Sequence, residues 1–276
     1  MKLNPPSKAY QNNEFLNGPG ARPIRLLAEF LEPQQRFRRE GVKDAIVFFG
    51  SARLKSKAAS KKALHELLRT HKKSSAKSRR VEKSIERAKM DLQMSRYYED
   101  AVQLSKMITK WTHSLREAYR FVICSGGGPG IMEAANKGAA SAKGRSIGLN
   151  ISLPFEQSAN PYITPELNFE FHYFFMRKFW FVYLAKAFVM FPGGFGTMDE
   201  LMEVLTLLQT RKLKKKATVL LYGSEFWNSV LNLEALANYG VISQEDLDIF
   251  RIVDSPEEAF EYLTKELRKN YPLETM

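Results

Sequence analysis

The sequence predicts an α/β fold in which a doubly wound parallel sheet carries helices on both faces. Short, continuously apolar runs recur along the chain, and such runs are typical of strands buried on both faces of a parallel sheet. Amphipathic segments of helical length separate these runs, and two glycine-rich loops each connect an apolar run to a helical segment. This alternation of strands and helices predicts the doubly wound arrangement.

The predicted elements follow one another along the chain. The predicted strands are residues 45–49, 121–124, 146–151, 187–191 and 218–222. The predicted helices are residues 23–40, 97–111, 131–142, 174–186, 197–213 and a last helix that starts at Pro256, after Ser255 as its N-cap. We expect the first helix to be short and interrupted at Pro33, because proline lacks the amide hydrogen that a helix interior uses.

The chain is predicted to form one domain with appendages. Residues 1–41 are an expected N-terminal arm, and residues 42–276 the single domain. Within that domain, residues 223–276 form an expected helical extension. Residues 55–96 are polar nearly all round and are expected to be an exposed helical, or partly disordered, insertion.

The positive charge belongs to this insertion rather than to the whole fold. Residues 55–96 carry fourteen Lys or Arg and four acids, a net +10 of the total +12. An excess of this kind can bind nucleic acid through phosphates. The segment has few aromatic side chains for base stacking, so a solvated helical surface is the favoured interpretation. Nucleic-acid binding stays open as the alternative.

Composition indicates a soluble protein of a reducing compartment. One cysteine, Cys124, excludes an intramolecular disulfide framework. The first twenty-one residues have no apolar run of the kind found in secretory signals. The apolar stretch 169–191 is interrupted by charged residues and His172, which disfavours a membrane span. We expect a cytoplasmic protein without a membrane segment.

Several kinds of catalytic site are not supported. The four histidines show no ligand spacing and a lone cysteine completes no zinc site, so we expect no metal. The chain has no Gly-x-Ser-x-Gly elbow and no Gly-Lys-Ser/Thr phosphate loop. No third glycine completes a dinucleotide fingerprint. These absences leave the two glycine loops as the main chemical feature.

The glycine loops predict a phosphorylated ligand. Residues 125–130 read Ser-Gly-Gly-Gly-Pro-Gly and residues 192–196 read Pro-Gly-Gly-Phe-Gly. Glycine lets the main chain approach a phosphate closely, and the free amides of a helix N-terminus attract the anion. Ligands of doubly wound sheets bind at the carboxyl ends of the strands, where the strand order reverses.

Three motifs resemble those of a known family. Residues 192–200, Pro-Gly-Gly-Phe-Gly-Thr-Met-Asp-Glu, resemble the PGGxGTxxE motif of the Lonely Guy family. Met176-Arg177-Lys178 and the loop at 125–130 resemble its other two motifs, in the usual order. The resemblance covers about residues 45–221. The arm, the insertion and the extension make the chain similar to the longer bacterial-type members.

The resemblance implies a Rossmann-like nucleotide-binding domain and an enzyme. Members of the family hydrolyse the N-glycosidic bond of nucleoside 5′-monophosphates such as AMP, including cytokinin nucleotides, and need no cofactor. The resemblance implies that Arg177 and Glu200 are catalytic. The residues it implies for binding substrate or its phosphate are Ser51, Gly127, Gly128, Met176, Gly193, Gly194, Gly196, Thr197 and Glu203.

Structural interpretations compete with several of these assignments. Thr197 and Glu200 also have the spacing of a helix capping box. Ser51 either contacts the nucleoside or caps a helix, and methionines such as Met176 more often belong to a core. Arg177, flanked by aromatic residues, is expected to be partly buried and paired, and Lys178 to be structural.

Other functions compete with hydrolysis. The alternative function is a non-catalytic protein that binds or carries a nucleotide or the molybdenum cofactor. Related proteins that share these glycine loops resemble molybdenum-cofactor carriers. Lysine decarboxylation is rejected because it requires a pyridoxal Schiff base. The resemblance implies a homodimer or higher homo-oligomer, with part of residues 169–183 at the subunit interface.

Overall fold

The computed structural model describes residues 6–73, 79–116, 121–154 and 158–273, except for the side chains of residues 71–73. The predicted arm, basic insertion and C-terminal extension each include some residues outside these ranges. Among the described residues, no helix combines the length and apolar character needed to cross a bilayer.

Seven parallel strands form one sheet, which confirms the predicted fold class. The strands are β1 Ala45–Phe49, β2 Val122–Ser125, β3 Ser146–Ile151, β4 Asn168–Phe171, β5 Ala185–Met190, β6 Thr218–Tyr222 and β7 Phe250–Val253. The helices are α1 Asn13–Asn17, α2 Arg22–Arg39, α3 Lys57–Lys73, α4 Arg79–His113, α5 Ile131–Ser141, α6 Phe174–Leu184, α7 Phe195–Gln209, α8 Ser224–Val230, α9 Leu233–Asn238 and α10 Pro256–Asn270.

The strand order creates a crevice beside the first strand. The order across the sheet is β4-β3-β2-β1-β5-β6-β7. The chain therefore builds outward from β1 to one edge, then crosses to the other side of β1 with β5. The loops that follow β1 and β5 leave in opposite directions at this point. Such a switch point is the usual ligand site of a doubly wound sheet.

The apolar strands bury their side chains on both faces. Ile46 and Phe48 of β1 face a core formed with α4, α5 and α10. Val47 and Phe49 face the opposite core, formed with α2, α6 and α7. The continuous apolar runs of the central strands therefore reflect helices on both sides of the sheet.

The two edge strands were missed because they are not continuously apolar. Along β4 the side chains alternate between exposed and buried, with Phe169 and Phe171 turned to the core. In β7 only Val253 is fully buried. Edge strands have solvent on one side, so the sequence criterion of a continuous apolar run selects only the inner strands.

Helix α2 lies within one residue of the predicted range at each end, but it is not interrupted at Pro33, which corrects that prediction. Pro33 lies buried inside an 18-residue helix. A proline at this position leaves the carbonyl of Glu29 without its helical donor. The indole Nε1 of Trp180 on α6 donates to this carbonyl at 3.0 Å. A distant residue thus replaces the missing hydrogen bond, which local sequence could not indicate.

The basic insertion is helical but is not polar all round. Helix α3 packs along the first half of α4, and this 35-residue helix continues into the predicted amphipathic segment. Leu64, Ile85 and Ala88 form a small core between the two helices. The described residues of the insertion are mainly helical, as one of the two alternatives expected, and this small core shows that they are not polar all round.

Candidate functional site

A cavity of about 630 Å³ opens at the switch point between β1 and β5. Its walls come from the loops after both strands, from the start of α7 and from α6. Small-molecule sites commonly have volumes of about 300–1,000 Å³. The position and size of this cavity therefore match a site for a nucleotide-sized ligand.

Main-chain contacts fix the three loops that meet at this crevice. The amide of Ser51 donates to the carbonyl of Pro192 at 3.0 Å, and the amide of Ile131 donates to the carbonyl of Ser51 at 3.1 Å. Gly130 has a φ of +72°, and a Cβ there would lie 2.2 Å from the Ser51 carbonyl oxygen. This glycine lets α5 begin directly against the β1 loop.

The second glycine loop presents unpaired amides to the cavity. Helix α7 begins at Phe195, two residues before the predicted start, and ends at Gln209 rather than residue 213. Its first internal bond joins the amide of Met198 to the carbonyl of Gly194. Within the part of the chain that the structure describes, the amides of residues 195–197 have no acceptor. This arrangement can bind an anion.

The glycines of this loop serve two different needs. A Cβ at Gly193 would lie 2.0 Å from the Thr197 hydroxyl, so internal packing requires that glycine. A Cβ at Gly194 or Gly196 would meet no protein atom within 4 Å. Neither residue has a positive φ in this structure. Since the protein itself does not require these two glycines, the open space beside them is available to a ligand.

The capping-box interpretation of Thr197 and Glu200 is wrong. Gly194 is the N-cap of α7 and makes no side-chain cap. Thr197 is therefore the third residue of the helix, and Glu200 lies one turn further in. Both residues are buried, and both line the cavity.

Arg177 and Glu200 face each other in the wall of the cavity. The Nη2 of Arg177 lies 3.9 Å from Oε1 of Glu200, and the side chains are 14% and 7% exposed. The Arg177 guanidinium also lies over the rings of Phe174 and Phe181, at 5.0 and 5.7 Å. Its buried Nε has no hydrogen-bond acceptor among the described residues. The pair joins two helices and leaves a donor available.

Burial sets the ionisation of this pair. It raises the pKa of Glu200 to about 7, against the opposing attraction of Arg177 and Lys178. Burial also lowers the pKa of Arg177, while Glu200 and Asp199 oppose that shift. A carboxyl group that titrates near neutrality inside a cavity is suited to proton transfer or to charge stabilisation.

Glu203, which is predicted to bind substrate, does not line the cavity with the other predicted site residues. Its carboxylate pairs with Lys178 at 2.8 Å, and the same ammonium lies 3.0 Å from Asp199. The expected structural role of Lys178 agrees with these contacts. Along α7, Glu200 faces the ligand space, while Glu203 ties the helix to α6.

The first glycine loop is tied into the protein, and Gly127 and Gly128, which are predicted to bind phosphate, do not line the cavity. The Gly127 amide donates to the Ser125 hydroxyl at 3.1 Å. The side-chain amide of Asn160 donates to the carbonyls of Gly127 and Gly128, at 2.9 and 3.1 Å. A Cβ at Gly127 would also overlap the side chain of Asn150. Of this loop, only Gly126 lines the cavity.

Replacing Asn160 with alanine is expected to lower the free energy of unfolding by about 1–3 kcal/mol, because buried carbonyls would lose their donor. Urea unfolding measures the change. Asn17→Ala is the control, since Asn17 makes a comparable bond to a carbonyl on an exposed helix. We expect a loss below about 0.5 kcal/mol there. Equal losses in the two variants would contradict this interpretation of the loop.

The structure places two further predicted residues. Met176, which is predicted to contact the base, packs against the core on one face of the sheet and does not line the cavity. Ser51 does line the cavity, and its hydroxyl accepts the amide of Arg53 at 3.1 Å. Ser51 therefore closes a local turn and does not cap α3, which starts only at Lys57.

The cavity also contains residues that sequence patterns did not single out. The main ones are Arg53, Asn150, Phe174 and Phe195. Phe195 is 96% exposed, which is unusual for phenylalanine, and Phe174 is half exposed. The position of Arg53 directly after the β1 loop is a signal that could have identified it. Nothing in the sequence distinguishes an exposed phenylalanine from a buried one.

The single cysteine, Cys124, does not line the cavity. Cys124 is fully buried in β2, and burial raises the pKa of its thiol. Within residues 6–73, 79–116, 121–154 and 158–273, no group of three His, Cys, Asp or Glu side chains could hold a metal ion.

Two solved structures resemble the chain at low sequence identity. The molybdenum cofactor binding protein from the phototrophic bacterium Rippkaea orientalis is 16% identical, with a TM-score of 0.49, over 82% of this chain and 97% of that chain. The molybdenum cofactor carrier protein from Chlamydomonas reinhardtii is 17% identical, with a TM-score of 0.47, over 82% and 99%. No curated protein sequence matches the chain.

A family model covers the second half of the fold. Residues 132–263 match the model described as "Possible lysine decarboxylase". The match includes α6, the second glycine loop and α7, which contribute Arg177, Thr197 and Glu200 to the cavity. Over residues 132–263 the chain therefore has the sequence pattern of this family, which confirms the resemblance to the Lonely Guy proteins that the motif at 192–200 predicts.

Proposed function

We propose that the protein hydrolyses the N-glycosidic bond of nucleoside 5′-monophosphates to free base and ribose 5-phosphate. One observation carries this proposal: a single cavity contains the open amides at the start of α7 and the Arg177–Glu200 pair. Glu200 lies one helical turn, about 5.4 Å, beyond the amide end of α7. A nucleotide phosphate bound by the amides would therefore bring its ribose toward this carboxylate.

The reaction needs a group that stabilises positive charge on the sugar. As the C1′–N bond breaks, its electron pair moves to the base nitrogen and C1′ becomes cationic, as in other glycosyl transfers. Ionised Glu200 beside C1′ stabilises this cation. The oxygen of water then bonds to C1′, water loses a proton, and the departing base takes up a proton. Arg177 positions the carboxylate, and its unpaired Nε can donate to a substrate oxygen.

The cavity contains groups that suit a phosphate and groups that suit a base. The guanidinium of Arg53 lines the cavity and has no acceptor among the described residues. It complements a phosphate that carries a charge of about −1.5 to −2 at neutral pH. The exposed rings of Phe174 and Phe195 provide apolar surface for a flat base. A panel of nucleoside monophosphates, scored for the released base, identifies which base the cavity accepts.

The proposed chemistry predicts a rise of kcat with pH up to about pH 7. Since the pKa of Glu200 is raised to about 7, its carboxyl is mostly neutral below that pH and cannot stabilise the cation. We expect kcat to fall about tenfold per pH unit on the acid side. The quantity to measure is kcat from pH 5 to 9, because the phosphate of free substrate itself titrates near pH 6.

The substitution Arg177→Met tests whether Arg177 affects the ionisation of Glu200. The guanidinium favours the ionised carboxylate, so its removal should move the midpoint of the kcat profile to higher pH. A profile that is flat from pH 5 to 9 would count against ionised Glu200 as the catalytic form. A midpoint that moves to lower pH in Arg177→Met would count against the pairing.

The activity is tested with a panel of nucleoside monophosphates, including AMP, GMP and CMP, without added metal. Chromatography scores the released base. The proposal expects base and ribose 5-phosphate in equal amounts. Nucleotide binding with no base released over hours would instead support the alternative of a non-catalytic carrier, and one of the two structural neighbours is named a molybdenum cofactor carrier protein.

The expected homodimer is also retained as a proposal. Besides Phe174, which lines the cavity, helix α6 exposes three aromatic side chains, and the neighbouring α2 exposes aliphatic ones. These residues are Phe175, Phe179, Tyr183, Ile24, Leu27 and Leu31. An apolar surface of this kind is typical of a subunit interface. Sedimentation at micromolar concentration distinguishes a dimer from a monomer of 31.7 kDa.

A further inference from the structure

A second cavity lies at the opposite end of the sheet from the candidate active site. Its volume is about 740 Å³. It is bounded by the starts of β6 and β7, the end of α10 and the loop 210–217 that follows α7. Its size again suits a nucleotide-sized ligand. No residue of the proposed hydrolysis lies in it.

Positive charge dominates this cavity. Five cations line it against two carboxylates: Arg211, Lys214, Lys215, Lys216 and Lys269 against Asp248 and Glu266. Lys269 lies 3.8 Å from Glu266. In the part of the chain that the structure describes, Arg211, Lys214 and Lys216 have no carboxylate partner. Cations that gather around a cavity without anions to neutralise them favour an anionic ligand.

Arg211 occupies a position where the main chain favours glycine. Its φ is +53°, in the left-handed region, directly after the last turn of α7. Its amide donates back to the carbonyl of Leu208, and the next turn closes from Leu213 to Leu207. Glycine is the usual residue at such a helix end because it adopts this conformation without strain. Arg211 lines the cavity in this conformation.

Lys215 contributes a buried charge to the same wall. Its Nζ donates to the carbonyls of Val182 and Tyr183, at 2.7 and 2.6 Å, at the end of α6. Burial and, to a smaller extent, nearby Lys186 lower its pKa to about 7, while Asp44 opposes the shift. A bound anion would favour the charged form of this lysine.

We propose that this cavity binds a polyanionic phosphate compound. Both helices that carry the Arg177–Glu200 pair run toward it. Helix α7 starts at the first cavity and ends, about 22 Å away, beside Arg211. Helix α6 ends at the carbonyls that Lys215 holds. This site is therefore distinct from the first cavity.

Calorimetry with inorganic tripolyphosphate tests this site on the full chain. The double variant Lys214→Gln/Lys216→Gln removes two exposed cations of the cavity and should weaken binding about tenfold. Lys212→Gln is the matched control, because Lys212 is an exposed lysine of the same loop that does not line the cavity. It should change the Kd less than about twofold. Equal weakening in both would indicate general attraction to a basic loop and would overturn the proposal.

A variant of the first cavity separates the two sites. Gly196→Val fills space beside the α7 amides, and it should leave tripolyphosphate binding unchanged. Loss of binding in Gly196→Val would place the anion in the first cavity and overturn the proposal. ATP is titrated in parallel: tighter binding than tripolyphosphate assigns a nucleotide, and equal binding assigns the phosphates alone. No step of this test depends on base release.

Discussion

Glu200→Gln is expected to lower the rate of base release by about a hundredfold to ten-thousandfold while leaving the fold intact. Glutamine has nearly the shape of glutamate but carries no negative charge. The positive charge that develops on the ribose would then lose its stabilising partner in a buried site, where charge interactions are strong. The measurement is kcat for the best nucleotide of the panel, with circular dichroism as the check on folding.

Glu203→Gln is the matched control for this prediction. Glu203 lies on the same helix, one turn away, but pairs with Lys178 outside the cavity. We expect its loss to change kcat less than about threefold, since partly exposed ion pairs contribute little. Equal effects of the two substitutions, or full activity in Glu200→Gln, would refute the assigned role of Glu200.

Gly196→Val is expected to reduce kcat/KM for nucleoside monophosphates about a hundredfold or more, because the new side chain would fill the anion site. Cβ atoms of a helix point toward its N-terminus, which here is the direction of the open amides. The protein has room for this side chain, since a Cβ at Gly196 would have no protein atom within 4 Å. Activity should therefore be lost without loss of stability, as thermal unfolding will show.

Gly20→Val makes the same change at a glycine outside the cavity. A Cβ at Gly20 also meets no atom within 4 Å. This variant should retain the kcat/KM of the unaltered protein. A comparable loss of activity in both variants, or an unchanged KM in Gly196→Val, would show that the start of α7 does not hold the phosphate.

The sheet was predictable where burial is symmetrical. In inner strands such as Ala45–Phe49 and Thr218–Tyr222 every residue is buried, and the bounds predicted from the sequence agree with the structure. The edge strands β4 and β7 alternate or are half exposed, and they were missed. Helix α2 shows another limit, since a hydrogen bond from Trp180 compensates for Pro33. Contacts between residues so far apart leave no local sign in the sequence.

The candidate site was predictable to the extent that a motif encodes main-chain geometry. Gly193, Gly194, Gly196, Thr197, Arg177 and Glu200 all line one cavity, as the two motifs suggested. The first loop looks equally suited to phosphate, but Ser125 and Asn160 occupy its amide and carbonyls. Which glycine loop is open and which is filled depends on side chains that pack against it from elsewhere.

A crystal structure of Glu200→Gln with AMP bound would test the proposed catalytic geometry most directly. We expect the phosphate within hydrogen-bond distance of the amides of Gly196 and Thr197, with C1′ of the ribose against the side chain at position 200. A phosphate bound at the first glycine loop, or a ribose turned away from α7, would contradict this geometry.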